Sequence, residues 1–419
     1  MLKFISRYAL ILVLAFLVLY PMVMVFYASV HSGGPTSPGN LSFRGYITTF
    51  TNPLTYKALW TTIWLSAIRT ITSMALAIFL AWVITRTDTP WRRGLEMLVW
   101  MVFLGLPILP TAVAWNLLAN PKGLINQALM IVFHLENPVV DIVSYWGIIW
   151  VSTIFWSSVA FLLITPAFRN MDASLEESSR MAGASVFSTI RRITVPILSP
   201  AVLGTAILLF IRFAESFEIE LILGYSKKIY VVTTRIWWML STSPPEYPEA
   251  MALSSVFLLM VFGLIFLQWK LLGNKQFTTV TGKGFAPKPA KLGTWKYMTF
   301  GLVILYFLVS FILPFFTLIL GSFMKFWGLW QQDPFTLNNW KIALNDARLL
   351  RAFQNTMWLA IGAATVGMLL YSIVGYLTVR VKFSGRKPLE LISWVPWCVP
   401  GMVLSLGFLW SYVAGLPFL

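Results

Sequence analysis

Residues 172–196 read Asp172-Ala-Ser174-Leu-Glu176-Glu177-Ser-Ser-Arg180-Met-Ala-Gly183-Ala-Ser185-Val-Phe-Ser-Thr-Ile-Arg191-Arg192-Ile193-Thr-Val195-Pro196. Ser174 stands three residues before Glu177, the spacing of a capping box, and Gly183 sits where a short helix would end in the left-handed conformation. Ser185 can then cap a second helix with Val186, Phe187, Ile190 and Ile193 on one side, and Pro196 and Pro200 mark entry into a long apolar run. The spacing therefore predicts a helix, a sharp turn and another helix. Apolar stretches flank this segment on both sides, which puts it at a membrane surface.

Outward from this loop the chain is mostly apolar. Of 419 residues, 58% are hydrophobic and 11% charged, with a mean hydropathy of +0.77, whereas a soluble domain carries about 25% charged residues. A spanning helix needs about 20 apolar residues, and nine candidates lie near 8–30, 57–85, 95–119, 143–168, 197–222, 250–272, 297–323, 353–379 and 389–415. The reading is an all-α polytopic membrane protein. The net charge of +16 has a cause other than nucleic acid, because basic residues gather in cytoplasmic loops. Placing the N-terminus inside assigns 19 basic residues to the cytoplasm, against ten outside, among them Arg235, and two within spans, Arg69 and Arg212. Loop 172–196 is then cytoplasmic. The first span, with Lys3 and Arg7 before it, exceeds a signal-peptide core in length and is read as a retained helix.

The chain also resembles itself. A displacement of 294 residues brings Tyr46 onto Trp340, Ala58 onto Ala352, Thr62 onto Thr356, Trp64 onto Trp358, Leu65 onto Leu359 and Arg86 onto Arg380. The block Arg92-Arg93-Gly94-Leu95-Glu96 falls on Arg386-Lys387-Pro388-Leu389-Glu390, and Trp100 on Trp394. Apolar helices match by chance, but charged and Trp positions in common register do not. Six spans precede the second copy, so both copies enter the membrane in the same direction, as parallel repeats flanking a central pathway. The expected organisation is a first repeat at 1–272, a basic cytoplasmic linker at 273–296 and a second repeat at 297–419 with three of six helices. By this arithmetic a complete protein would run to about 570 residues.

The spacing of Glu177, Gly183, Ile193 and Val195-Pro196 resembles the Glu-Ala-Ala signature of permeases in binding-protein-dependent ABC importers. Ser178 and Ser179 stand for the two alanines and Val195 for a leucine, changes that leave the helix-turn-helix reading intact. The resemblance implies the type I importer permease (MetI-like) fold, and with the repeat it extends over nearly the whole chain as a fused tandem permease with its second half shortened. It also implies a coupling helix seated in a groove of a separate ATPase subunit, two copies of which would bind. Glu176, Glu177, Arg180, Gly183, Ile193 and Pro196 are the candidates for that contact. The second copy's loop would begin near residue 471. ATP and Mg2+ would belong to the partner, since the chain has no Gly-x-x-x-x-Gly-Lys-Ser/Thr loop and binds no cofactor of its own. Expected partners are the ATPase, a periplasmic solute-binding protein and membrane lipid, with no nucleic acid, and the expected location is the bacterial inner membrane. Single-chain tandem permeases of this kind resemble those for ferric iron, which the segment Arg-Phe-Ala-Glu215 followed by Leu-Ile-Leu-Gly224 also favours. Thiamine, polyamine and phosphonate permeases share the loop.

Charges inside spans are functional candidates by default. Arg69 lies mid-span, and its counterpart at the 294 displacement is Ala363. Arg212, Glu215 and Glu218 step by three along one helix face, with Glu220 pointing elsewhere. Either this face borders the translocation path and meets a cationic or chelated solute, or Arg212 neutralises Glu215, or Arg69 pairs here, purely for packing. His31 and His134 read as ordinary surface residues of external loops, the Trp residues as interfacial belts, and Cys398 as a packed small side chain. Two histidines and one cysteine supply neither a usual zinc site nor an intramembrane catalytic constellation. An ion-coupled secondary transporter could share the parallel repeats and buried acids, but the signature loop argues against it.

Overall fold

The computed structural model describes residues 2–171, 178–179, 181–272, 290–330 and 333–414. Among these residues the structure is helical, with four isolated β-bridges in its loops. The helices are α1 (Leu2–Ser29), α2 (Arg44–Thr51), α3 (Pro53–Arg86), α4 (Arg92–Gly105), α5 (Ile108–Ala119), α6 (Leu124–Phe133), α7 (Tyr145–Asn170), α8 (Val186–Thr189), α9 (Val195–Ala214), α10 (Glu218–Leu223), α11 (Val232–Ser241), α12 (Tyr247–Leu272), α13 (Trp295–Phe307), α14 (Leu313–Phe323), α15 (Asn338–Asn345), α16 (Ala347–Arg380), α17 (Arg386–Trp394) and α18 (Gly401–Val413). A π-helical turn, Leu308–Ile312, joins α13 to α14 without ending the span.

Seven helices are long and apolar enough to cross a membrane, and the chain is a multi-pass membrane protein. Three of the nine expected spans, 95–119, 197–222 and 389–415, are not single helices. The stretch 95–119 is divided into α4 and a following segment bent from it by 94°. The break has a cause: Leu106 is extended (φ −139°, ψ 115°) before Pro107, as a residue preceding proline must be, and Pro107 has no N–H to continue the ladder. At 14 residues, α4 reaches about 21 Å, short of a hydrocarbon core of about 30 Å. The stretch 389–415 is likewise divided, into α17, a 3-10 turn Val395–Cys398 and α18, with Pro400 capping α18.

Helix boundaries recur at the displacement found in the sequence. Moved by 294 residues, Arg44–Thr51 becomes Asn338–Asn345, Pro53–Arg86 becomes Ala347–Arg380, the last residue of α1 becomes Phe323, and the first of α4 becomes Arg386.

The chain packs as two compact units, each discontinuous in sequence. One comprises Met1–Tyr56, Arg235–Gly263 and Ser322–Leu419. Here α1 lies along α17 and α18. Leu14, Val374 and Leu389 form a small apolar cluster, and the fully buried Trp410 meets the edge of Tyr27. Near the end of α1, the Ser29 and Tyr46 hydroxyls lie 2.8 Å apart, and Tyr46 reaches Ser255 of α12 at 2.8 Å. His31 is not a surface residue. It is 8% exposed, stacked on Tyr27 with centroids 4.1 Å apart, its Nδ1 2.6 Å from the Tyr27 carbonyl. Stacking on the last turn of α1 lets the imidazole bury its ring while keeping a polar partner.

The other unit comprises Lys57–Thr234 and Leu264–Gly321. Its core gathers Leu80, Val83, Leu95, Val99, Phe161 and Phe213 from α3, α4, α7 and α9, with Tyr306, Phe307 and Phe311 from the segment 295–321. The buried Tyr306 hydroxyl donates to the Ile154 carbonyl at 2.9 Å and lies 3.0 Å from Ser157 Oγ, which satisfies it within an apolar core. Small residues let helices approach in membranes. Gly407 of α18 is one, since a Cβ there would collide with the Pro21 main chain of α1. Gly407→Val is therefore expected to destabilise the protein by about 1–3 kcal/mol. Gly362→Val, on an open face of α16, should leave thermal unfolding in detergent micelles nearly unchanged.

Candidate functional site

Two places collect the residues singled out by the sequence. The first is the loop, whose described part is 178–179 and 181–196; Ser174, Glu176, Glu177 and Arg180 lie outside the described residues. The Ala182 N–H donates to the Ser178 carbonyl at 3.0 Å and the Ala184 N–H to the Ser179 carbonyl at 3.1 Å. Gly183 between them has φ +85°. This is the hydrogen-bond pattern of a Schellman termination, with glycine in the left-handed position that costs other residues most. A Cβ at Gly183 would meet nothing within 4 Å, so the requirement is one of backbone conformation alone. Ser185 Oγ accepts from the Ser188 N–H at 3.3 Å and so caps α8. A hydroxyl contact of 3.0 Å between Ser179 and Thr189 ties the two arms together.

The second arm differs from expectation in being continuous with the span. A π-helical segment, Ile190–Thr194, leads directly into α9, and Pro196 falls in its first turn, where a missing N–H costs little. Met181, Arg191, Arg192, Val195 and Pro196 are exposed, with Ile193 half-buried. The loop thus shows apolar and basic groups together on its free surface.

The second place is a buried polar network in the unit containing α3, α7 and α9. Arg69 and Glu220 are both fully buried, with Nη1 2.5 Å from Oε1. Arg69 Nη2 donates to the Phe213 carbonyl at 3.0 Å and Nε to the Leu65 carbonyl at 3.3 Å. Ser152 Oγ of α7 lies 3.4 Å from Nη1, and the guanidinium sits over the Phe213 ring at 4.9 Å. The other Glu220 oxygen accepts from Ser216 Oγ at 2.6 Å, and the Thr233 hydroxyl donates to the Ser216 carbonyl at 2.5 Å. Arg212 pairs separately with Glu215 at 3.3 Å, while Glu218 is exposed. Glu215 Oε1 is buried and has no hydrogen-bond partner among the described residues.

The expected stretch 197–222 is not one helix. It stops at Ala214 and restarts at Glu218. The stepping of Arg212, Glu215 and Glu218 along one face therefore does not hold, and Glu220, read as pointing away, becomes the partner of Arg69. Sequence reasoning also placed Arg235 in an external loop. It is 2% exposed in α11, its guanidinium 4.2 Å from the Trp238 ring centroid. Nearby, burial and the neighbouring Glu249 hold the Glu246 carboxyl above the usual carboxylate range, against the pull of Arg235.

With this geometry in view, comparison with known proteins is direct. No family model matches the chain. It is 23% identical over 414 residues to the ferric transport system permease protein FbpB of Actinobacillus pleuropneumoniae, covering 96% of this chain and 58% of that protein. A putative ferric transport system permease of Haemophilus influenzae is also 23% identical, over 97% of this chain and 63% of its own. Among solved structures, a chain of a bacterial ABC transporter involved in import of the acidic polysaccharide alginate matches with a TM-score of 0.53 at 19% identity. This chain is homologous to ferric transport and ABC transporter permeases. It spans about three-fifths of the length of the curated permeases it matches. The alginate transporter chain is covered over 96% of its length by 64% of this one, so about two-thirds of the residues carry that chain's fold.

Removing one member of a buried ion pair strands the other charge, at a cost of about 3–5 kcal/mol. Arg69→Met is expected to destabilise by that amount, and the double variant Arg69→Met with Glu220→Leu should recover most of the loss. Thermal unfolding of the purified chain in detergent measures both.

Proposed function

We propose that this chain forms the translocation pathway of an ATP-driven ABC importer in the inner membrane, with its N-terminus in the cytoplasm, and that the solute is ferric iron delivered by a periplasmic binding protein. The observation that carries this reading is homology along almost the entire chain, 96% and 97% of it, to two ferric transport permeases. A solved alginate transporter bound to its periplasmic protein matches with a TM-score of 0.50, which supports the choice of partner. The recurrence of helix boundaries after 294 residues supports two parallel permease repeats on one polypeptide, joined by the basic linker at 273–296.

In this reading loop 172–196 docks on the ATPase subunit, which holds ATP and Mg2+ and carries out hydrolysis. Its Gly183 turn and the exposed Met181, Arg191 and Arg192 supply a mixed apolar and basic surface of the kind a groove accepts. Because the second arm continues into α9, movement of the docked loop is transmitted along a helix and not dissipated in a flexible joint. Glu215, with one unsatisfied oxygen, is our candidate for contact with a cationic or chelated solute.

Gly183→Asp forces a side chain onto a left-handed backbone and should open the turn. The variant is expected to lose at least about ten-fold in binding to the ATPase subunit relative to the unaltered chain, corresponding to about 1.4 kcal/mol. Uptake of 55Fe(III) into proteoliposomes, competed with thiamine, spermidine and phosphonate, tests the solute. Failure of any ATPase to co-purify with the unaltered chain would overturn the importer reading.

A further inference from the structure

The loop is anchored at its first end by two side chains that belong to other helices. Helix α7 ends at Asn170, and Met171 turns to an extended conformation (φ −71°, ψ 126°) at 3% exposure. Arg86, the last residue of α3, is 8% exposed and donates from Nη2 to the Met171 carbonyl at 2.8 Å. Two residues before Met171, Arg169 pairs with Glu96 of α4. Glu96 is 7% exposed, and its second oxygen has no hydrogen-bond partner among the described residues. Arg92 donates to the Thr87 carbonyl at 3.1 Å, which fixes the α3–α4 turn that brings Arg86 and Glu96 together. All of these groups lie in one compact unit.

A carboxylate buried at a helix surface is costly unless its partner is held there. Arg169, by contrast, is half-exposed and had other ways to satisfy itself. Two partly independent contacts, one to a main-chain oxygen and one to a side chain, thus converge on the three residues where α7 gives way to the loop. Arg86 and Glu96 are also among the charged positions that recur after 294 residues, as Arg380 and Glu390, whereas Arg69 becomes Ala363. The recurring charges are those at the root of the loop, not the one that locks a single copy's interior.

We infer that Arg86 and Glu96 are positioning residues that clamp the root of the cytoplasmic loop, so that a displacement of the loop moves α3 and α4 together with α7. This inference rests on the importer reading and adds residues outside the signature to the coupling apparatus. Without the clamp, the extended joint at Met171 would swing, and only α9, continuous with the loop's other end, would follow.

The test uses the full chain with its co-purified ATPase in proteoliposomes, supplied with 55Fe(III)-loaded binding protein. The readout is iron taken up per ATP hydrolysed, with the melting temperature of every variant recorded. Arg169→Gln, at a half-exposed position that folding tolerates, and Glu96→Gln are both expected to lower this ratio at least about five-fold, the lower end of usual coupling strengths. Arg169→Lys, which keeps the charge, should restore it to within about two-fold of the unaltered chain. An unchanged ratio in both glutamine variants overturns the clamp while leaving the importer intact. A fall that Arg169→Lys shares, in step with a lowered melting temperature, assigns the residues to folding and also overturns it. If the unaltered chain shows neither binding-protein-stimulated hydrolysis nor uptake, the importer reading fails first.

Discussion

The guanidinium of Arg69 is the point on which the larger helical unit depends. A charge buried this deeply persists only if every neighbour is arranged around it, and its neighbours come from four separate stretches of chain: Leu65 on its own helix, Ser152 on α7, Phe213 at the end of α9 and Glu220 beyond the break. The arrangement also explains how α9 can stop inside an apolar environment. Backbone carbonyls freed at a helix end in a membrane need internal donors, and Arg69 supplies one to Phe213 while Glu220 fixes the restart. The charge and the interruption need each other.

That mutual dependence accounts for what the sequence made legible and what it hid. Long apolar runs identify α1, α3, α7, α12 and α16 to within a few residues, because hydropathy reports the solvent around a helix. It does not report continuity. The interruptions after Gly105, Ala214 and Trp394 leave the apolar runs intact, and at two of them the signal was present as Pro107 and Pro400, residues read as ordinary members of spans. The break at Glu215 has no proline. Its only trace was a concentration of acids, and counting them on a continuous helix put Glu220 on the wrong side.

The loop was more readable. Its turn is specified by residues whose backbone preferences are local, with Gly183 at the left-handed position and Ser185 at the cap, so no tertiary information was required. The root of the loop was not readable in the same way, since Glu96 and Arg169 are 73 residues apart and nothing in their local spacing marks them as partners. Burial misled in the same sense for His31 and Arg235, both assigned to external loops from charge and position, and each packed against an aromatic ring. Aromatic side chains near helix ends can shelter a polar group that a one-dimensional reading leaves in water.

Helix α1 rests on α17 and α18, made from residues nearly four hundred positions later, while the segment 295–321 rests on α4 and α7, made well before it. At synthesis rates of about 5–20 residues per second, roughly 20–80 s pass between the making of α1 and the making of the surface that α17 and α18 offer it. The later segment docks on emergence. The two helices that begin the copies are the most apolar of the seven spans, which suits the first of them to a long exposure to lipid. The contact of α1 with α17 and α18 is thus a late event in synthesis, closed only after most of the described chain has been made.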